Sequence, residues 1–394
     1  MKTDQLYLLR TQLDQELRDN ILSFWINYTQ DQENGGFYGF ISDSLEVDSK
    51  YPKSCVLTAR ILWTFATAYR TYREKRYLAL ATRAYHYLLQ HFWDQEYSGV
   101  YWMVDFQGKV LYDKKQSYAQ AFAIYGLTEY YLATGNSESL TKAQTLFEAL
   151  ENYFYDSEHS GYCEALSRDW KPITDMALGA GEPNVSKTMN SHLHILEAYT
   201  NLNRVWENQR LKIRLRELIQ IMLDFVTDPQ TNRFHLFFDA AWHPQSTLIS
   251  FGHDIEGSWL LLEAAEVLND AQLLIRVKDV SLKMAEQVLK TGYDHKHGGI
   301  FDEGVPDKIS KRDKDWWPQA EAVVGFYNAF QLSGKTSFGE AALQTWNFIN
   351  RYLSDKEHGE WLWKVSESGI NLGKNEKVGP WKCPYHNSRM CLEL

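Results

Sequence analysis

Cysteine is scarce in this chain of 394 residues, and its spacing matches neither a metal site nor a disulfide framework. The four cysteines are Cys55, Cys163, Cys383 and Cys391. None of them forms the Cys-x-x-Cys pair that is typical of zinc sites and redox motifs. The spacing therefore predicts free thiols in a reducing compartment and no metal ion.

An excess of positive charge and long apolar runs are also lacking. Lys and Arg number 41 against 51 Asp and Glu, which gives a formal net charge of -10. Nucleic acids and anionic membranes attract a basic surface, so neither is an expected partner. Residues 1–20 are charged throughout and lack the apolar centre of a secretory signal, and no later stretch is long enough to span a bilayer. We therefore expect a cytoplasmic protein.

Aromatic residues, in contrast, are abundant. Phe, Trp and Tyr make up 14% of the chain, and 14 residues are Trp. Sugar-binding clefts use such rings because the apolar face of a pyranose stacks on an aromatic plane. Dense packing between helices would use them as well. The composition thus indicates a globular protein with a neutral ligand, and it favours a sugar without requiring one.

A short acidic motif recurs six times along the chain. An aspartate is followed by polar residues, a turn-forming residue at the fifth position and an aromatic or apolar residue, as expected for a tight turn before a short strand. The copies are DQENGGFY from Asp31, DQEYSGVY from Asp94, DSEHSGYC from Asp156, DPQTNRFH from Asp228, DHKHGGIF from Asp294 and DKEHGEWL from Asp355. They divide the chain into units of about 60 residues, which indicates an internal repeat.

Each unit contains two segments with helical periodicity. VLTARILWTFATAYRTY and YLALATRAYHYLLQHFW, for example, place apolar residues on one side. Six such hairpins could stack as an open solenoid or close into a ring. The amphipathic first helix and the apolar end of HNSRMCLEL favour a ring in which the two chain ends meet. The sequence therefore predicts an all-α fold, an (α/α)6 barrel with short β-turn segments at one end, in a single domain over residues 1–394.

Unusual polar or aromatic residues occupy a comparable place in each unit, where the helix after the turn motif begins. They are Arg60, Tyr118, His194, His253, Trp317 and His386. Because the corresponding ends of the inner helices of a barrel meet, we expect these side chains to line one pocket.

The histidines have neighbours that suit proton transfer. Asn190 precedes His194 by one helical turn, and Glu256 follows His253 by one turn. A carboxylate at that spacing can orient an imidazole and fix its tautomer. His192 lies two residues from His194 and should face elsewhere, so HLH is not interpreted as a metal motif. A single histidine is more often structural than catalytic, but three at equivalent places favour function.

Arg60 and a tryptophan pair are further candidates. Arg60 lies among apolar residues in LTARILW, and a buried guanidinium is costly unless it has a partner. It either forms an internal salt bridge or binds ligand oxygens. Trp316 and Trp317 stand directly before Pro318 at a predicted helix start. One indole either stacks on a ligand or fills the core.

Five motifs together resemble the N-acylglucosamine 2-epimerase superfamily, and within it the cellobiose 2-epimerase group. They are TARILW, KTMNSHLHILEAY, SFGHDIEGSWLL, WWPQAEAVVGF and WKCPYHNSRMCLE. The similarity runs from Ile21 to the C-terminus. It implies an (α/α)6 barrel that reversibly epimerises C2 of a reducing-end sugar, without a metal or nucleotide cofactor. It also implies a monomer more than a dimer.

The resemblance assigns roles to individual positions. His253 and His386 match the acid and base histidines of the family. The positions that line its site correspond to Arg60, Tyr118, Asn190, His194, Glu256 and Trp381, with Trp316 or Trp317 as the stacking indole and Glu182 in a variable loop. In this chemistry the two imidazoles would act on opposite faces of C2, or one would serve both faces and the other relay protons. Arg60 would stabilise the enediolate, and His194 would assist either ring opening or the transfer of the O1 proton.

Several alternatives are open at this point. The substrate could be a disaccharide, such as cellobiose or lactose, or a free monosaccharide such as mannose. An aldose–ketose isomerase would use the same enediolate. A glycoside hydrolase would need two opposed carboxylates, for which Asp254, Glu256 and Glu321 are available. A barrel that only binds sugars or partners is the last alternative.

Overall fold

Helices dominate the architecture. The computed structural model describes residues 3–179, 181–373 and 376–394. In chain order the helices are α1 (Thr3–Gln15), α2 (Ser23–Tyr28), α3 (Cys55–Tyr72), α4 (Lys75–Tyr87), α5 (Ser117–Thr134), α6 (Ser137–Ala149), α7 (Met189–Asn203), α8 (Gln209–Ile221), α9 (Phe251–Leu268), α10 (Ala271–Thr291), α11 (Trp316–Ser333), α12 (Thr336–Phe348) and α13 (Tyr385–Glu393). Within these ranges, no helix is both long enough and apolar enough to cross a membrane.

The odd-numbered helices from α3 to α13 form a closed inner ring. Each packs against the next, and α13 packs against both α11 and α3. The even-numbered helices α4 to α12 each lie outside the inner helix that precedes them, and α1 completes the outer layer beside α13. The two chain ends therefore meet, and the predicted α/α barrel is confirmed.

Burial separates the two layers. On α5 the buried positions run without a break from Ser117 to Tyr130, as expected for a helix that is surrounded on all sides. On α4 the buried residues Tyr77, Leu80, Ala81 and Ala84 recur at helical spacing and leave a charged outer face. Outer helices are amphipathic for this reason, whereas the inner helices carry the polar groups that face the barrel axis.

Segments of π-helix lie at equivalent places in most units, which the sequence analysis did not predict. They are Glu16–Leu22, Leu88–Phe92, Leu150–Phe154, Met222–Val226 and Ile349–Leu353. The last four continue an outer helix, and each ends just before a turn motif. In the second unit the amide of Trp93 donates to the carbonyl of Leu88 at 3.1 Å, which closes the wider turn. Such bulges redirect the chain toward the turn.

Short strands lie at the end of the barrel where the inner helices begin. They are β1 (Ile41–Ser42), β2 (Lys53–Ser54), β3 (Met103–Val104), β4 (Val110–Tyr112), β5 (Lys115–Gln116), β6 (Ala165–Leu166), β7 (Lys187–Thr188), β8 (Thr227–Asp228), β9 (Arg233–Phe234), β10 (Phe237–Phe238), β11 (Ile249–Ser250), β12 (Glu303–Val305), β13 (Lys308–Lys311), β14 (Lys314–Asp315), β15 (Lys364–Val365) and β16 (Glu376–Val378).

These strands pair antiparallel in small sheets, most of which link neighbouring units. The groups are β2-β3-β4, β11-β12-β13, β1-β16, β5-β6, β7-β10, β8-β9 and β14-β15. Ile41 pairs with Val378, so the first and last units are joined by strands as well as by helices. The strands β2, β5, β7, β11 and β14 each lead directly into an inner helix. They fix where that helix begins.

The six turn motifs share one backbone geometry. Their fifth residue has a positive φ in every copy, which glycine, asparagine and serine tolerate better than bulky residues do. These residues are Gly35, Ser98, Ser160, Asn232, Gly298 and Gly359. In the first copy Asp31 Oδ1 accepts hydrogen bonds from the amides of Glu33 and Asn34 at 3.0 and 2.9 Å. The predicted tight turns are confirmed.

Five of the six turn aspartates also bind a buried lysine. Lys53 Nζ lies 2.7 Å from Asp31 Oδ2 and 2.8 Å from the carbonyl of Gly35. The same contact to the aspartate is made by Lys115, Lys187, Lys314 and Lys377. Ile249 occupies the corresponding position before α9, next to the turn of Asp228. The lysine pattern is visible in the sequence but was not recognised there.

Candidate active site

A cavity of about 220 Å³ lies on the barrel axis, at the end where the inner helices begin. All the residues predicted for the site line it: Arg60, Tyr118, Glu182, Asn190, His194, His253, Glu256, Trp316, Trp317, Trp381 and His386. Trp363 also lines it and was not predicted. It follows the sixth turn motif, in a loop for which the helical periodicity gave no signal.

Helix starts surround this cavity. Tyr118, Asn190 and His386 are each the second residue of their helix, and His253 is the third. The hydroxyls of Thr188 and Ser250 cap the first turns of α7 and α9. The positive ends of several helix dipoles therefore point toward one space, where they favour neutral imidazoles and stabilise a developing anion.

His386 is held by a carboxylate from the neighbouring helix. Its Nδ1 lies 2.7 Å from Glu321 Oε1, an acceptor that keeps the proton on Nδ1. The other nitrogen, Nε2, is thereby left as the basic atom. Burial, with the positive charges of Arg60 and Arg389, holds the pKa of His386 well below its ordinary value. The imidazole is therefore neutral and can accept a proton.

His194 has a similar partner on its own helix. Its Nδ1 lies 2.9 Å from Glu197 Oε2, one turn further along α7. Burial lowers the pKa of His194 in spite of this carboxylate. The ring packs edge-on against Tyr118, with ring centroids 5.1 Å apart.

His253 lacks a carboxylate partner of this kind among the described residues. Its Nδ1 lies 2.8 Å from Ser250 Oγ, which also caps the helix. Burial lowers the pKa of His253 to about 3. Its ring lies 4.7 Å from that of Trp317 and the ring of His386 lies 5.5 Å from Trp317, so one indole contacts both imidazoles.

His192, by contrast, is structural. Its Nδ1 lies 2.7 Å from the carbonyl of Thr188, and its Nε2 accepts a hydrogen bond from the amide of Tyr162 at 2.9 Å. Both nitrogens are thus used within the fold, on a different side of α7 from His194. The prediction that HLH is not a pair of ligands agrees with this geometry.

Arg60 is only 3% exposed, and among the described residues its side-chain hydrogen bonds go to Tyr118 and Cys383 and not to a carboxylate. Its Nη2 donates to Tyr118 Oη at 2.8 Å, and its guanidinium lies 4.2 Å from the ring centroid of Phe122. Its Nε has no hydrogen-bond partner there. The alternative of an internal salt bridge is therefore wrong within the described residues. The guanidinium keeps its charge available to a ligand in the cavity.

The tryptophans form two walls of the cavity. Trp316 is 2% exposed and packs against Trp363, with ring centroids 4.6 Å apart. Trp317 is less buried and contacts the two histidines. Trp381 lies on the other side, 5.8 Å from the ring of Tyr118. Trp317 is thus the better placed of the predicted pair to meet a ligand that both histidines reach.

A charged cluster forms the floor beneath the histidines. Arg389 contacts Glu197, and its Nη2 lies 2.6 Å from Glu256 Oε1 and 2.7 Å from Glu321 Oε1. All four side chains are almost fully buried. Sequence reasoning considered Glu321 only as a candidate carboxylate of a glycoside hydrolase and assigned no role to Glu197 or Arg389, because most of their partners lie on distant helices. The available signal was that Glu197 and Arg389 each follow a site histidine by one turn.

Among the residues that the structure describes, two groups of side chains have a geometry that could suit a metal ion, but a cation of the protein already contacts each of them. Glu256, Glu321 and His386 form the first group, and Arg389 bridges its carboxylates. Asp294, His297 and Glu367 form the second. There Lys314 Nζ lies 2.7 Å from Asp294 Oδ2 and 3.1 Å from the carbonyl of Glu367. Neither arrangement resembles an open metal site.

Comparison with known proteins identifies the family. The model of the N-acylglucosamine 2-epimerase family matches residues 35–389. This chain belongs to that family. A cellobiose 2-epimerase of Bacteroides fragilis is 44% identical over 387 residues, which cover 98% of both chains. The solved structure of the cellobiose 2-epimerase of Bacillus thermoamylovorans has a TM-score of 0.93 and 39% identity, and 98% of each chain is covered.

Membership in the N-acylglucosamine 2-epimerase family confirms the predicted resemblance, and with it a carbohydrate epimerase of the isomerase class. The barrel is shared more widely. A D-mannose isomerase structure has a TM-score of 0.86 at 22% identity over 97% of this chain and 96% of its own, a likeness that shows the fold alone. The substrate and the roles of single residues have to be argued from the site.

Proposed function

We propose that the protein epimerises C2 of the reducing-end aldose of a cellobiose-type disaccharide. The observation that carries this proposal is the convergence of neutral histidines and Arg60, which has no carboxylate partner among the described residues, on one cavity of about 220 Å³. That volume suits one sugar ring. The 44% identity to a protein named cellobiose 2-epimerase supports the same substrate class.

The reaction begins with ring opening, because C2 becomes acidic only next to a free aldehyde. A base removes the proton of O1 while the bond between C1 and the ring oxygen O5 breaks and O5 gains a proton. We assign the base to His386, whose Nε2 is free and whose charged form is stabilised by Glu321 at 2.7 Å. His386 is then an imidazolium, and it holds the proton needed later. His194 is placed to orient a sugar hydroxyl.

The second step moves protons on opposite faces of C2. Neutral His253 removes the C2 proton, and Arg60 stabilises the negative charge that develops on O1. The imidazolium of His386 returns its proton to the other face of C2. His253 then protonates O1 while O5 attacks C1 and releases the proton that it gained during ring opening. Both histidines end the cycle neutral, as they began it, and the proton balance needs neither a metal nor a nucleotide.

The surroundings of the cavity favour a disaccharide over a monosaccharide. A second space of about 550 Å³ adjoins the cavity and shares Glu182, Asn190, His253 and Trp317 with it. Asp302 and Lys311 line this second space but not the first cavity, and they offer polar contacts to sugar hydroxyls. A second sugar attached to O4 of the first could occupy this space, with Trp317 between the two rings.

The hydrolase alternative finds little support in the carboxylates. Asp254 does not line the cavity, and its oxygens accept from Arg233 and from the amide of Phe234, each at 2.8 Å. Glu321 is engaged by His386 and Arg389. Glycoside hydrolysis requires two opposed carboxyl groups across the scissile bond. Of the three candidates only Glu256 lines the cavity.

A substrate panel tests the proposal. Cellobiose, lactose, mannobiose, glucose, mannose and N-acetylglucosamine are incubated with the enzyme, and the products are separated by chromatography. We expect glucosyl-mannose from cellobiose and the C2 epimer of lactose, with less turnover of monosaccharides. Fructose from mannose as the main product would instead indicate an aldose–ketose isomerase. Glucose released from cellobiose would indicate a hydrolase.

We further propose that the enzyme is a cytoplasmic monomer that consists of a single domain. The described cysteines Cys55, Cys163, Cys383 and Cys391 are all free thiols, which suits a reducing compartment. Light scattering on the purified protein tests the monomer, with a mass near 46.0 kDa as the expected result. A mass of twice that value would contradict it.

A further inference from the structure

The charged floor of the cavity has more carboxylates than cations. Among the described residues Arg389 is the one cation that contacts Glu197, Glu256 and Glu321, and each side chain in this cluster is 2% exposed or less. Three ionised carboxylates around one guanidinium would bury two uncompensated negative charges. That arrangement is strongly unfavourable, so at least one carboxyl group carries a proton.

Glu197 does not need that proton. Its Oε2 faces the Nδ1 of His194 at 2.9 Å, and its Oε1 accepts from Tyr385 and from Arg389. Both oxygens thus have donors. The pKa of Glu197 is lowered, chiefly because the charge of Arg389 and the bond from His194 outweigh the effect of burial. Glu197 is the ionised member on this side of the cluster.

Glu321 is also fully supplied with donors. Its Oε1 accepts from His386 Nδ1 and Arg389 Nη2, each at 2.7 Å. Its Oε2 accepts from the indole nitrogen of Trp259 at 3.0 Å. A proton on either oxygen would face another donor proton. Glu321 is therefore a carboxylate as well.

Glu256 differs from both. Its Oε1 accepts from Arg389 Nη2 at 2.6 Å, whereas its Oε2 is buried and has no hydrogen-bond partner among the described residues. A bare buried carboxylate oxygen is costly, but a hydroxyl there can donate to a ligand. Glu256 lines the cavity together with His386 and Arg60.

Charged groups on three other helices face Glu256, and their effects on its pKa differ in sign. Glu321 on α11 and Glu197 on α7 repel its negative charge, and Arg389 on α13 attracts it. Burial is the largest influence, and with the two glutamates it raises the pKa of Glu256 well above its ordinary value in spite of Arg389. The surroundings thus favour a protonated Glu256, and the missing hydrogen-bond partner of Oε2 among the described residues places the proton on that oxygen.

We propose that Glu256 is held as a neutral carboxylic acid and that its Oε2 proton is the one donated to the ring oxygen O5 during ring opening. This inference rests on the proposed epimerase function. It assigns to Glu256 a catalytic role instead of the substrate-binding role that the sequence resemblance implied.

The protons and bonds of this step balance. The O1 proton moves to His386 as the bond between C1 and O5 breaks, and O5 takes the proton of Glu256. The resulting Glu256 carboxylate is stabilised by Arg389 at 2.6 Å. When the ring closes after epimerisation, O5 attacks C1 and returns its proton to Glu256. The acid is regenerated without an external donor.

An infrared measurement tests the protonation state without relying on activity. The spectrum of the wild-type enzyme at neutral pH is compared with that of the Glu256→Gln variant, and protein labelled with ¹³C-glutamate identifies the carboxyl band. We expect a neutral carboxyl stretch that is present in the wild type and lost in the variant. Glutamine is isosteric with the neutral acid, so Tm should stay close to that of the wild type. An unfolded variant or the absence of that band would overturn the proposal.

Kinetics with cellobiose deuterated at C2 test the catalytic role. For Glu256→Gln we expect kcat to fall by about 10²-fold or more, with KM within about threefold of the wild type, as for loss of a general acid. Ring opening then limits the rate, and it does not break the bond between C2 and its hydrogen. The deuterium isotope effect on kcat should therefore fall to one, or remain at one. A full kcat, or a low kcat with a larger isotope effect, would contradict the proposal.

Glu263→Gln is the matched control, since Glu263 lies two turns further along the same helix and accepts from Arg204 at 2.6 Å outside the cavity. Its kcat and isotope effect should equal those of the wild type. If the wild-type protein shows no epimerisation of any sugar, the proposed function fails, whereas the infrared result still decides whether Glu256 is neutral.

Discussion

Buried charges serve two purposes in this barrel, one at the turns and one beneath the cavity. At five turns a lysine faces an aspartate, as Lys53 faces Asp31 at 2.7 Å, and at Asp94 Arg168 joins the lysine at 2.9 Å. Beneath the cavity the single guanidinium of Arg389 faces three glutamates. Each of these aspartates has at least one cation of its own, which leaves no proton to move and holds the backbone in place. The unmatched cluster leaves a proton that can be moved, and it lies where the chemistry takes place.

The turn of Asp228 is the exception among the turns. Its Oδ2 accepts from Thr231 at 2.7 Å, and Ile249 stands where the other five units place lysine. A cavity of about 700 Å³, larger than the one on the barrel axis, lies beside this turn. The turn keeps its geometry, since Asn232 has the same positive φ as its equivalents. The lysine therefore adds stability to a turn that its backbone hydrogen bonds already define.

The largest expected effect is a loss of activity on changing a residue of the cavity. Replacing His386 with Asn should reduce epimerisation of cellobiose by about 10²–10⁴-fold, because a proton carrier is removed. The fold should survive, as judged by circular dichroism and Tm. His192→Asn is the matched control at a structural histidine. We expect this variant to have a lower Tm, while the folded fraction keeps the kcat of the wild type. Equal activity of His386→Asn and wild type would contradict the assignment.

A large effect on stability is expected at a matched pair. Lys53→Met leaves Asp31 buried without its cation, and should lower the free energy of unfolding by about 3 kcal/mol. Urea unfolding followed by fluorescence measures this. The double variant Lys53→Met with Asp31→Asn should recover part of the loss, because the unpaired charge is removed. If the double variant is the less stable of the two, the buried-charge explanation is wrong.

A smaller effect is expected in the pH dependence of activity. The pKa values of His194, His253 and His386 all lie below the ordinary value of 6.5, because the site is buried. These groups stay neutral, and kcat/KM should therefore hold as pH falls through 6.5 and decline only at lower pH. A decline centred at or above pH 6.5 would contradict the neutral resting state.

Acid should also weaken the turns. The pKa values of the turn aspartates Asp31, Asp156, Asp294 and Asp355 lie below the ordinary value of 3.8, through their lysines and backbone amides. A lowered pKa gives stability that is present above about pH 4 and is lost as pH falls through the folded value. Urea midpoints measured at several pH values should fall below pH 4, and less steeply in the Asp31→Asn variant.

The smallest effect on stability is expected from adding the missing lysine beside the turn of Asp228. Ile249→Lys would offer Asp228 the cation that its equivalents have, and should raise the free energy of unfolding by about 0.5 kcal/mol, since this turn is partly exposed. Ile249→Met is the control for the change of side-chain shape. A gain no larger for lysine than for methionine would show that the pairing adds nothing here.

The repeat explains how much could be predicted from the sequence. The acidic turn motif and the helix start that follows it are local signals that recur along the chain, as at Asp31. The structure has the turns and the helix starts at the predicted places, and His253 lies at one of these starts. Contacts between distant helices left no such signal. Arg389 meets Glu197 and Glu256 across the barrel axis, and Trp363 enters the cavity from a loop outside the helical pattern. Such contacts depend on closure of the ring, which no single segment encodes.

Deuterium incorporation from heavy water tests the central claim most directly, because it follows the proton that His253 and His386 exchange at C2. With cellobiose as substrate, we expect one deuterium at C2 of the glucosyl-mannose formed, and none at C2 of the cellobiose recovered early in the reaction. Glucosyl-mannose that retains hydrogen at C2 would contradict two histidines acting on opposite faces. Deuterium at C1 of a ketose, or release of glucose, would contradict the epimerase itself.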